Sequence, residues 1–397
     1  MNARTLFLSH SATMGGAEFC LLDIAHSLRE RALVVLLEDG PFRERLEDAD
    51  VPVRVIAAGA LHEVRRDSRL PSVSALAGLW KTAGAVSRIA AEFDVIHANS
   101  QKALIVGSIA AKRAQKPLVW HLHDIIERPW FSTLNIFADV LLTNHGTERV
   151  LAVSRATADA LVRQGGNAEK IHVVYNGIDA VQFDVTPLAI AQLRQSLGLS
   201  AVPVVGCFSR LANWKGQHVL IEAVSELPGV HVLLVGGALF GEHAYERVLR
   251  EMVQRLGLAD RVHFLGQRDD VSMLMHTVDL VVHPSTAPEP FARTLIESML
   301  AGRAPIASAC GGVPELIESG RNGFLVPPGD ATALRGILQH LLESPQQMEE
   351  AANVARTHAK THFAKATYVN AVTAHLEAAA NSRAEHNSQR ALHGVSA

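Results

Sequence analysis

Short apolar runs that alternate with longer amphipathic segments constrain the fold of this chain more than any other feature. The first run, Thr5 to Ser9, precedes a loop with two adjacent glycines and then a helical pattern from about Ala17 to Arg29. Such runs are typical of buried strands, and their alternation with helices is typical of a doubly wound parallel sheet. The same pattern begins again at Val204 to Phe208. We therefore predict an α/β chain with two Rossmann-like domains.

Length and composition agree with this prediction. The 397 residues exceed the size at which a single hydrophobic core stops growing. The formal net charge of −3 gives no reason to expect a nucleic-acid partner. Three scattered cysteines without CxxC spacing fit a reducing compartment. The N-terminal apolar run is too short for a signal peptide, and no apolar stretch is long enough to span a membrane. We expect a cytoplasmic protein.

The stretch from Asp279 to Thr332 gives the strongest indication of a function. Its apolar run, Leu280 to Val282, predicts a strand, and two prolines then hold the chain extended. A helix is predicted from about Phe291 to Leu300. Glu289 would then lie just before the helix and Glu297 off its apolar face, roughly 9–12 Å away at about 1.5 Å per residue.

The start of this predicted helix lies between the two carboxylates. Free backbone N–H groups at a helix start carry partial positive charge and suit a diphosphate. The carboxylates on either side can accept hydrogen bonds from two sets of hydroxyls, so the arrangement fits a nucleotide sugar. Glu289 taken alone can also be explained as a partner for the helix dipole. The N–H groups concerned belong to Phe291, Ala292, Arg293 and Thr294.

The segments EPFARTLIE, GGVPELIE and NGFLVPPGD resemble the donor-binding core of the retaining glycosyltransferases of family 4. The Glu-x7-Glu signature of that family falls here on Glu289 and Glu297. The resemblance implies a GT-B fold, in which two Rossmann-like domains face each other across a cleft. It assigns Glu289 to sugar hydroxyls and Glu297 to the ribose. Substitution of Glu289 by Ala is expected to leave folding intact and to lower turnover by orders of magnitude.

The reaction implied by the resemblance is transfer of a sugar from a UDP- or GDP-sugar to a hydroxyl of a glycan or lipid-linked acceptor. Anomeric configuration would be retained, without an enzymic nucleophile, by attack on the face from which the diphosphate leaves. Bacterial surface polysaccharide or lipopolysaccharide synthesis is the implied setting. The sequence leaves open the sugar, the base and the acceptor.

Two basic residues, Arg210 and Lys215, follow the predicted strand Val204 to Phe208 in the segment FSRLANWKG. This segment resembles the phosphate-binding motif of the same family, and both cations would neutralise the departing diphosphate. Each such charge-assisted hydrogen bond is worth about 1.5–3 kcal/mol. A solvated basic loop is the alternative. No metal or cofactor is expected, and the acidic string EDAD at Glu47 to Asp50 is assigned to a surface turn.

Several weaker candidates follow other predicted strands. Gly15 and Gly16 allow close backbone approach, and the resemblance places such a loop near the donor pyrophosphate and the acceptor; a simple tight turn is the alternative. His123, in an His-Asp pair, is expected to contact the transferred sugar, although it could simply be a hydrogen-bonded strand-end histidine. His121 and His123 lack a third metal ligand. The loop carrying Arg268 and Val271 is expected to border the base.

Two features of the resemblance bear on details of the site and of the partners. Relatives commonly have Gly at the position of Ala292. Because Ala does not readily adopt positive φ, either the backbone there is helical or the phosphate site is altered. The segment Arg128 to Leu142 clusters aromatic residues beside an arginine. An amphipathic helix packed in the core is one interpretation, and a lip for the acceptor or for peripheral contact with the cytoplasmic membrane is the other.

The domain boundaries follow from these assignments. The resemblance implies that a C-terminal helix returns to the first domain, and the polar end of the chain is predicted to be a flexible tail. We predict an N-terminal domain at residues 1–180, a linker at 181–200 and a C-terminal domain at 201–363. The returning helix is predicted at about 364–380 and the tail at 381–397. Two other functions remain open: a sugar-nucleotide epimerase of the same fold and a non-catalytic sugar-nucleotide-binding subunit.

Overall fold

The computed structural model describes residues 2–58, 73–199, 201–239 and 241–393 and divides into two compact units. One unit contains the residues up to Gly177 together with those from Ala366 onward, and the other contains Ile178–Lys365. Each unit has one sheet, and every strand pair among the described residues is parallel. The predicted α/β architecture with two doubly wound units is confirmed.

The first unit has a seven-stranded sheet in the order β3-β2-β1-β4-β5-β6-β7. Its strands are β1 Thr5–Ser9, β2 Ala32–Leu36, β3 Val53–Val55, β4 Val95–Ala98, β5 Leu118–Leu122, β6 Arg149–Ala152 and β7 Ile171–Val173. Its helices in chain order are α1 Gly16–Ser27, α2 Pro41–Asp48, α3 Val73–Ala90, α4 Gln101–Ala114, α5 Thr133–Gly146 and α6 Arg155–Arg163. The order places the loops after β1, β4 and β5 side by side at one edge.

Serine caps fix where helices begin at that edge. Ser100 and Ser154 follow β4 and β6 closely, and their hydroxyls accept hydrogen bonds from the N–H groups of Ala103 and Thr157 at 3.2 and 3.1 Å. A capping serine satisfies a helix N–H that has no partner within the helix. The chain therefore turns from strand to helix immediately beyond the sheet edge, which is where ligands of doubly wound sheets bind.

The second unit has a six-stranded sheet in the order β10-β9-β8-β11-β12-β13. Its strands are β8 Val204–Phe208, β9 His231–Val235, β10 Val262–Gly266, β11 Leu280–His283, β12 Pro305–Ser308 and β13 Phe324–Val326. Its helices are α7 Pro187–Ser196, α8 Gln217–Ser225, α9 His243–Arg255, α10 Val271–Thr277, α11 Arg293–Leu300, α12 Ala331–Glu343 and α13 Pro345–His362. Because β8 and β11 are neighbours, the loops that follow them meet at the same edge.

The segment predicted as a linker, 181–200, belongs instead to the second unit as far as Leu199, the last described residue of that segment. Helix α7 is fixed there by Arg194, whose guanidinium donates to both carboxylate oxygens of Asp279 at 3.0 Å and to the carbonyl of Val202 at 2.6 Å. A two-point arginine–carboxylate pair holds a side chain in one orientation. This tertiary contact could not be inferred from the loop-like composition of the segment.

A final helix, α14 Lys365–His393, brings the chain back to the first unit. Tyr368, Val372 and Leu376 are buried in the core of that unit beside Phe7 and Leu21. Residues 381–393, predicted as part of a flexible tail, continue α14 as helix, and residues 394–397 lie outside the described part. Residues 381–393 contain no Gly or Pro, the two residue types that most oppose a helix.

Within the described residues, no helix combines the length and apolar character needed to cross a membrane.

Candidate functional site

The start of α11 differs from the prediction. The helix begins at Arg293, so Phe291 and Ala292 precede it, and the Arg293 N–H donates to the Phe291 carbonyl at 3.1 Å. Of the four N–H groups predicted at the helix start, those of Phe291 and Ala292 therefore lie before the helix, and the prediction is wrong for these two. Ala292 has φ −84° and ψ 87°, which is neither helical nor in the left-handed region. The helical backbone that was one of two alternatives for Ala292 is therefore wrong, and its negative φ avoids the left-handed region in which a Cβ is strained.

Three donors converge on one oxygen of Glu289. Its Oε1 accepts hydrogen bonds from Lys215 Nζ at 2.6 Å, Ser285 Oγ at 2.6 Å and His283 Nε2 at 2.8 Å. Glu289 is 3% exposed. Lys215 follows β8 and Glu289 follows β11, so the neighbouring strands bring the predicted phosphate-binding cation and the predicted sugar-binding carboxylate into direct contact.

The charge of Glu289 is maintained despite burial. Burial opposes ionisation, but the Lys215 ammonium and the hydrogen bonds that Lys215 and His283 donate hold the pKa of Glu289 well below its usual range. A buried ion pair with its hydrogen bonds satisfied avoids the cost of an isolated charge. The site therefore holds an ionised carboxylate that is paired with the Lys215 side chain.

The backbone of Glu289 is fixed by two glycines of the segment GGVPELIE. The Gly312 N–H donates to the Glu289 carbonyl at 2.7 Å. Gly311 has φ +62°, and a Cβ at that position would overlap the backbone of Glu289. Only glycine satisfies both the φ angle and the close approach. The sequence contained this signal as a paired glycine, but its contact with Glu289 is long-range in sequence.

Arg210 and Lys215 both lie against the ring of Trp214. The distances to the ring centroid are 5.4 Å from Arg210 Cζ and 4.3 Å from Lys215 Nζ. Trp214 in turn accepts, through its carbonyl, the N–H of Thr286 at 2.8 Å. Cations over an aromatic face are stabilised without being neutralised. The structure therefore groups the two predicted cations around a tryptophan that the sequence analysis did not identify.

Gly216 explains why the loops after β8 and β11 can touch. It has φ +73°, and a Cβ at that position would overlap the carbonyl of Pro284. Gly216 also directly follows Lys215 and precedes α8. The close approach of these two loops, which requires glycine, places Lys215 beside Glu289.

Glu297 lies within α11, where the sequence places it. Its carboxylate is partly exposed and 3.8 Å from Arg293 Nε. Burial raises the pKa of Glu297, and Arg293 offsets this only in part. Arg293 therefore has a carboxylate partner on its own helix, in addition to any role toward a ligand.

The predicted base-bordering loop is exposed. Arg268 donates to both oxygens of Asp270 at 2.8 and 2.6 Å, and Val271 is the first residue of α10. The guanidinium of Arg268 is thus held in a local ion pair at the surface.

In the first unit, the Gly15–Gly16 loop and His123 are brought together by Asn99. His123 Nε2 lies 3.0 Å from Asn99 Oδ1, and Asn99 Nδ2 donates to the Ala17 carbonyl at 3.0 Å. Gly15 is the N-cap of α1 with φ −145°, an extended conformation open to any residue. The sequence analysis missed Asn99, whose position two residues before α4 gives only a weak signal.

Glu18 is a second residue that the sequence analysis missed. It is 7% exposed, and burial raises its pKa to about 7, although its own N–H and that of Gly15 lower the pKa and Asp124 raises it further. A carboxyl that accepts from N–H groups at a helix start is a capping residue. The GGAE segment contains this signal. Glu18 is therefore a titratable group beside a loop of predicted function.

Two deeper histidines, His97 and His121, lie behind this edge. Both are fully buried, with 3.3 Å between His97 Nε2 and His121 Nδ1. Burial lowers the pKa of each, so both are neutral. Among the described residues there is no group of three or more His, Cys, Asp or Glu side chains that could hold a metal ion.

The aromatic segment at Arg128 to Leu142 divides between core and surface. Helix α5 begins at Thr133, Phe131 is buried, and Trp130 and Phe137 are 44% and 63% exposed. The predicted helix is therefore only partly packed in the core.

Two family models match the chain, one in each half of the sequence. The family described as Glycosyltransferase Family 4 matches residues 14–182. The family described as Glycosyl transferases group 1 matches residues 190–358. The second match contains the loops that carry Lys215 and Glu289.

Solved structures include a protein that is similar over nearly its whole length. Alr3699/HepE of Anabaena, crystallised in complex with UDP-glucose, is 42% identical, with a TM-score of 0.87, over 95% of this chain and 100% of that chain. Among curated proteins, the D-inositol 3-phosphate glycosyltransferase of Mycobacterium marinum is 28% identical over 87% of this chain and 78% of that protein. The lipopolysaccharide core biosynthesis mannosyltransferase LpcC of Rhizobium leguminosarum bv. viciae is 32% identical over 55% of this chain and 62% of that protein.

Proposed function

Since this chain belongs to glycosyltransferase family 4, we propose that it transfers a sugar from a UDP-sugar, with retention of configuration, to a hydroxyl of a glycan or lipid-linked acceptor. The chain has the two-domain GT-B fold. The observation that carries the proposal is the contact of Lys215 with Glu289, beside Arg210, at the edge of the second sheet. UDP-glucose is the first donor to test, because the Anabaena protein was crystallised with it.

Lys215 and Arg210 stabilise the departing diphosphate in this proposal. Electrostatic stabilisation by groups already in place is usually the largest contribution to such catalysis. The first turn of α11 adds N–H groups, and Glu297 accepts from the ribose. Because these fixed charges neutralise the phosphates, we propose that no metal ion is required.

In this proposal Glu289 accepts hydrogen bonds from hydroxyls of the sugar, and His123 keeps the sugar contact that the family resemblance implies. The acceptor hydroxyl attacks the anomeric carbon on the face from which the diphosphate leaves. The carbon–oxygen bond to the phosphate breaks, the bond to the acceptor oxygen forms, and the acceptor proton passes to the departing diphosphate. No protein nucleophile takes part.

A GDP-sugar is the second candidate donor. The Rhizobium relative is named a mannosyltransferase, and mannose is commonly activated as its GDP derivative. The same relative supports a role in surface polysaccharide or lipopolysaccharide synthesis.

The test compares nucleotides first and sugars second. Titration calorimetry with UDP and GDP in the presence of EDTA should show tighter binding of UDP. Incubation with UDP-glucose and a panel of glycan and lipid-linked acceptors should then release UDP and give a product with the donor's anomeric configuration by NMR. An epimerised sugar nucleotide formed without acceptor would replace this proposal with an epimerase. Binding without transfer or hydrolysis would indicate a non-catalytic binding subunit.

A further inference from the structure

His283 connects the two parts of the donor site in the second unit. It is the last residue of β11 and is 3% exposed. Its Nε2 lies 2.8 Å from Glu289 Oε1, and its Nδ1 lies 3.2 Å from the hydroxyl of Thr294 in the first turn of α11. One imidazole therefore contacts both the sugar-binding carboxylate and the helix start assigned to the phosphates.

The contacts determine the tautomer of His283. An ionised carboxylate only accepts hydrogen bonds, so Nε2 must carry a hydrogen. In the neutral ring Nδ1 then accepts, and the Thr294 hydroxyl is the donor that it faces. The neutral tautomer satisfies both ring nitrogens. Thr294 thereby keeps the hydrogen on the nitrogen that faces Glu289.

The donors to Glu289 are distributed unevenly over its two oxygens. Lys215, Ser285 and His283 all reach Oε1. Within the described residues, no hydrogen bond to Oε2 is formed. A carboxylate held by three donors on one oxygen cannot rotate freely, so its second oxygen is directed to one position with its acceptor capacity intact.

We propose that His283 is a positioning residue that fixes Oε1 of Glu289 so that Oε2 accepts a hydroxyl of the donor sugar. The inference rests on the proposed function, because it assigns the ligand of Oε2 as that sugar. His283 acts through Glu289 and touches neither the phosphates nor the reacting atoms. Its loss therefore lowers turnover more than it weakens nucleotide binding.

Two substitutions of His283 separate this role from packing. In His283→Gln the amide nitrogen lies about where Nε2 lies and can still donate to Glu289. In His283→Asn the amide is polar and smaller, and it lies about where Nδ1 lies, so the donor to Glu289 is lost. The measurements are kcat and KM for UDP-glucose by UDP release, the Kd of UDP by calorimetry, and the melting temperature.

We expect His283→Gln to keep kcat within about threefold of the wild type. We expect His283→Asn to lower kcat by roughly 10²-fold, because small displacements of positioning groups have effects of this size. The Kd of UDP should be unchanged in both. Equal losses of kcat in the two variants, or losses that follow the Kd of UDP, would overturn the proposal.

A second pair of variants applies if either His283 variant fails to fold. Thr294→Val removes the hydroxyl that faces Nδ1, whereas Thr294→Ser keeps it. The valine variant should lower kcat about three- to tenfold relative to the serine variant, corresponding to one hydrogen bond. Identical kcat values for the two would contradict the tautomer assignment and with it the role of His283.

These outcomes are distinguishable from failure of the proposed function. If wild-type protein neither binds UDP nor consumes UDP-glucose, the donor assignment is wrong. If the wild type is active and His283→Asn matches it, only the positioning role is wrong.

Discussion

The two units place functional side chains at equivalent sheet edges but use different chemistry there. At the edge of the second sheet, Lys215 and Glu289 form an ion pair at 2.6 Å. At the edge of the first sheet, His123 and Asn99 form a hydrogen bond of 3.0 Å, and Glu18 has a pKa raised by burial to about 7. Fixed charge suits a diphosphate, and uncharged or titratable groups suit hydroxyls. In the proposed function, the second unit therefore supplies the electrostatics of the reaction.

Substitution of Glu289 should have the largest effect. Glu289→Gln keeps the shape of the side chain but removes the charge and replaces one oxygen with a donor. We expect kcat to fall by about 10²–10³-fold, the size of effect seen when one preorganised polar contact is removed from an active site. Steady-state UDP release from UDP-glucose measures it, and wild-type turnover would remove Glu289 from the site.

The structure also revises the expectation that Glu289→Ala leaves folding intact. Loss of the carboxylate leaves the Lys215 ammonium, which is 14% exposed, without the ion-pair partner that it has here. Removing one member of a buried pair typically costs about 3–5 kcal/mol. Urea unfolding should show a lower midpoint for Glu289→Ala, partly restored in the double variant with Lys215→Met. A midpoint unchanged from the wild type would show that the pair contributes little.

Glu18 should make folding stability depend on pH. Its folded pKa of about 7 lies above the ordinary glutamate value of 4.5, so the folded state binds its proton more tightly than the unfolded state. The favourable contribution is present below pH 4.5 and is lost as pH rises to about 7. Relative to Glu18→Gln, which does not titrate, the wild type should lose about 3 kcal/mol over this range.

Urea unfolding of both proteins at several pH values measures this difference. If the free energy of unfolding of the two proteins changes in parallel from pH 4.5 to 7, folding does not raise the pKa of Glu18. The difference between the ion pair at the edge of the second sheet and the titratable group at the edge of the first would then be smaller than described.

Asn99 should have a smaller effect that is confined to His123. Asn99→Ala removes one hydrogen bond to the imidazole, so we expect kcat/KM for UDP-glucose to fall about three- to tenfold. In a double-mutant cycle with His123→Ala, the second substitution should add little to the first. Fully additive losses would show that Asn99 acts independently of His123, for example through its bond to the Ala17 carbonyl.

Arg268 should have the smallest effect of the residues considered. It is exposed and pairs with Asp270, and surface pairs of this kind contribute little. We expect Arg268→Ala to change KM for UDP-glucose by less than about threefold. A larger rise in KM without a change in melting temperature would show that the guanidinium leaves Asp270 to bind the nucleotide.

The strands could be predicted because a strand that is buried on both faces appears in the sequence as a short apolar run. The bounds of β1 and β8 match the prediction, since each is an apolar run ended by a polar residue or loop. The start of α11 was predicted two residues early because Ala292, its N-cap, has no capping side chain. Pro290 was a weaker marker of that boundary than a serine would have been.

Site residues could be predicted where the type of the side chain and its loop position suffice to indicate a role. They could not be predicted where the role depends on a contact with a residue distant in the sequence. Glu289, Lys215 and Arg210 were identified because their types and loop positions suit phosphate and hydroxyl binding. His283 was missed because it reads as the end of a strand, and its role depends on its distance to Glu289. Trp214 and Gly311 were missed for the same reason, because each acts through a residue distant in sequence.

A crystal structure with UDP-glucose tests the central claim most directly: that fixed charge in the second unit holds the diphosphate and that Glu289 holds the sugar. We predict phosphate oxygens within hydrogen-bond distance of Lys215 Nζ and the Arg210 guanidinium, and a glucose hydroxyl on Glu289 Oε2. A nucleotide bound elsewhere, with Lys215 and Glu289 still contacting only protein, would contradict the account.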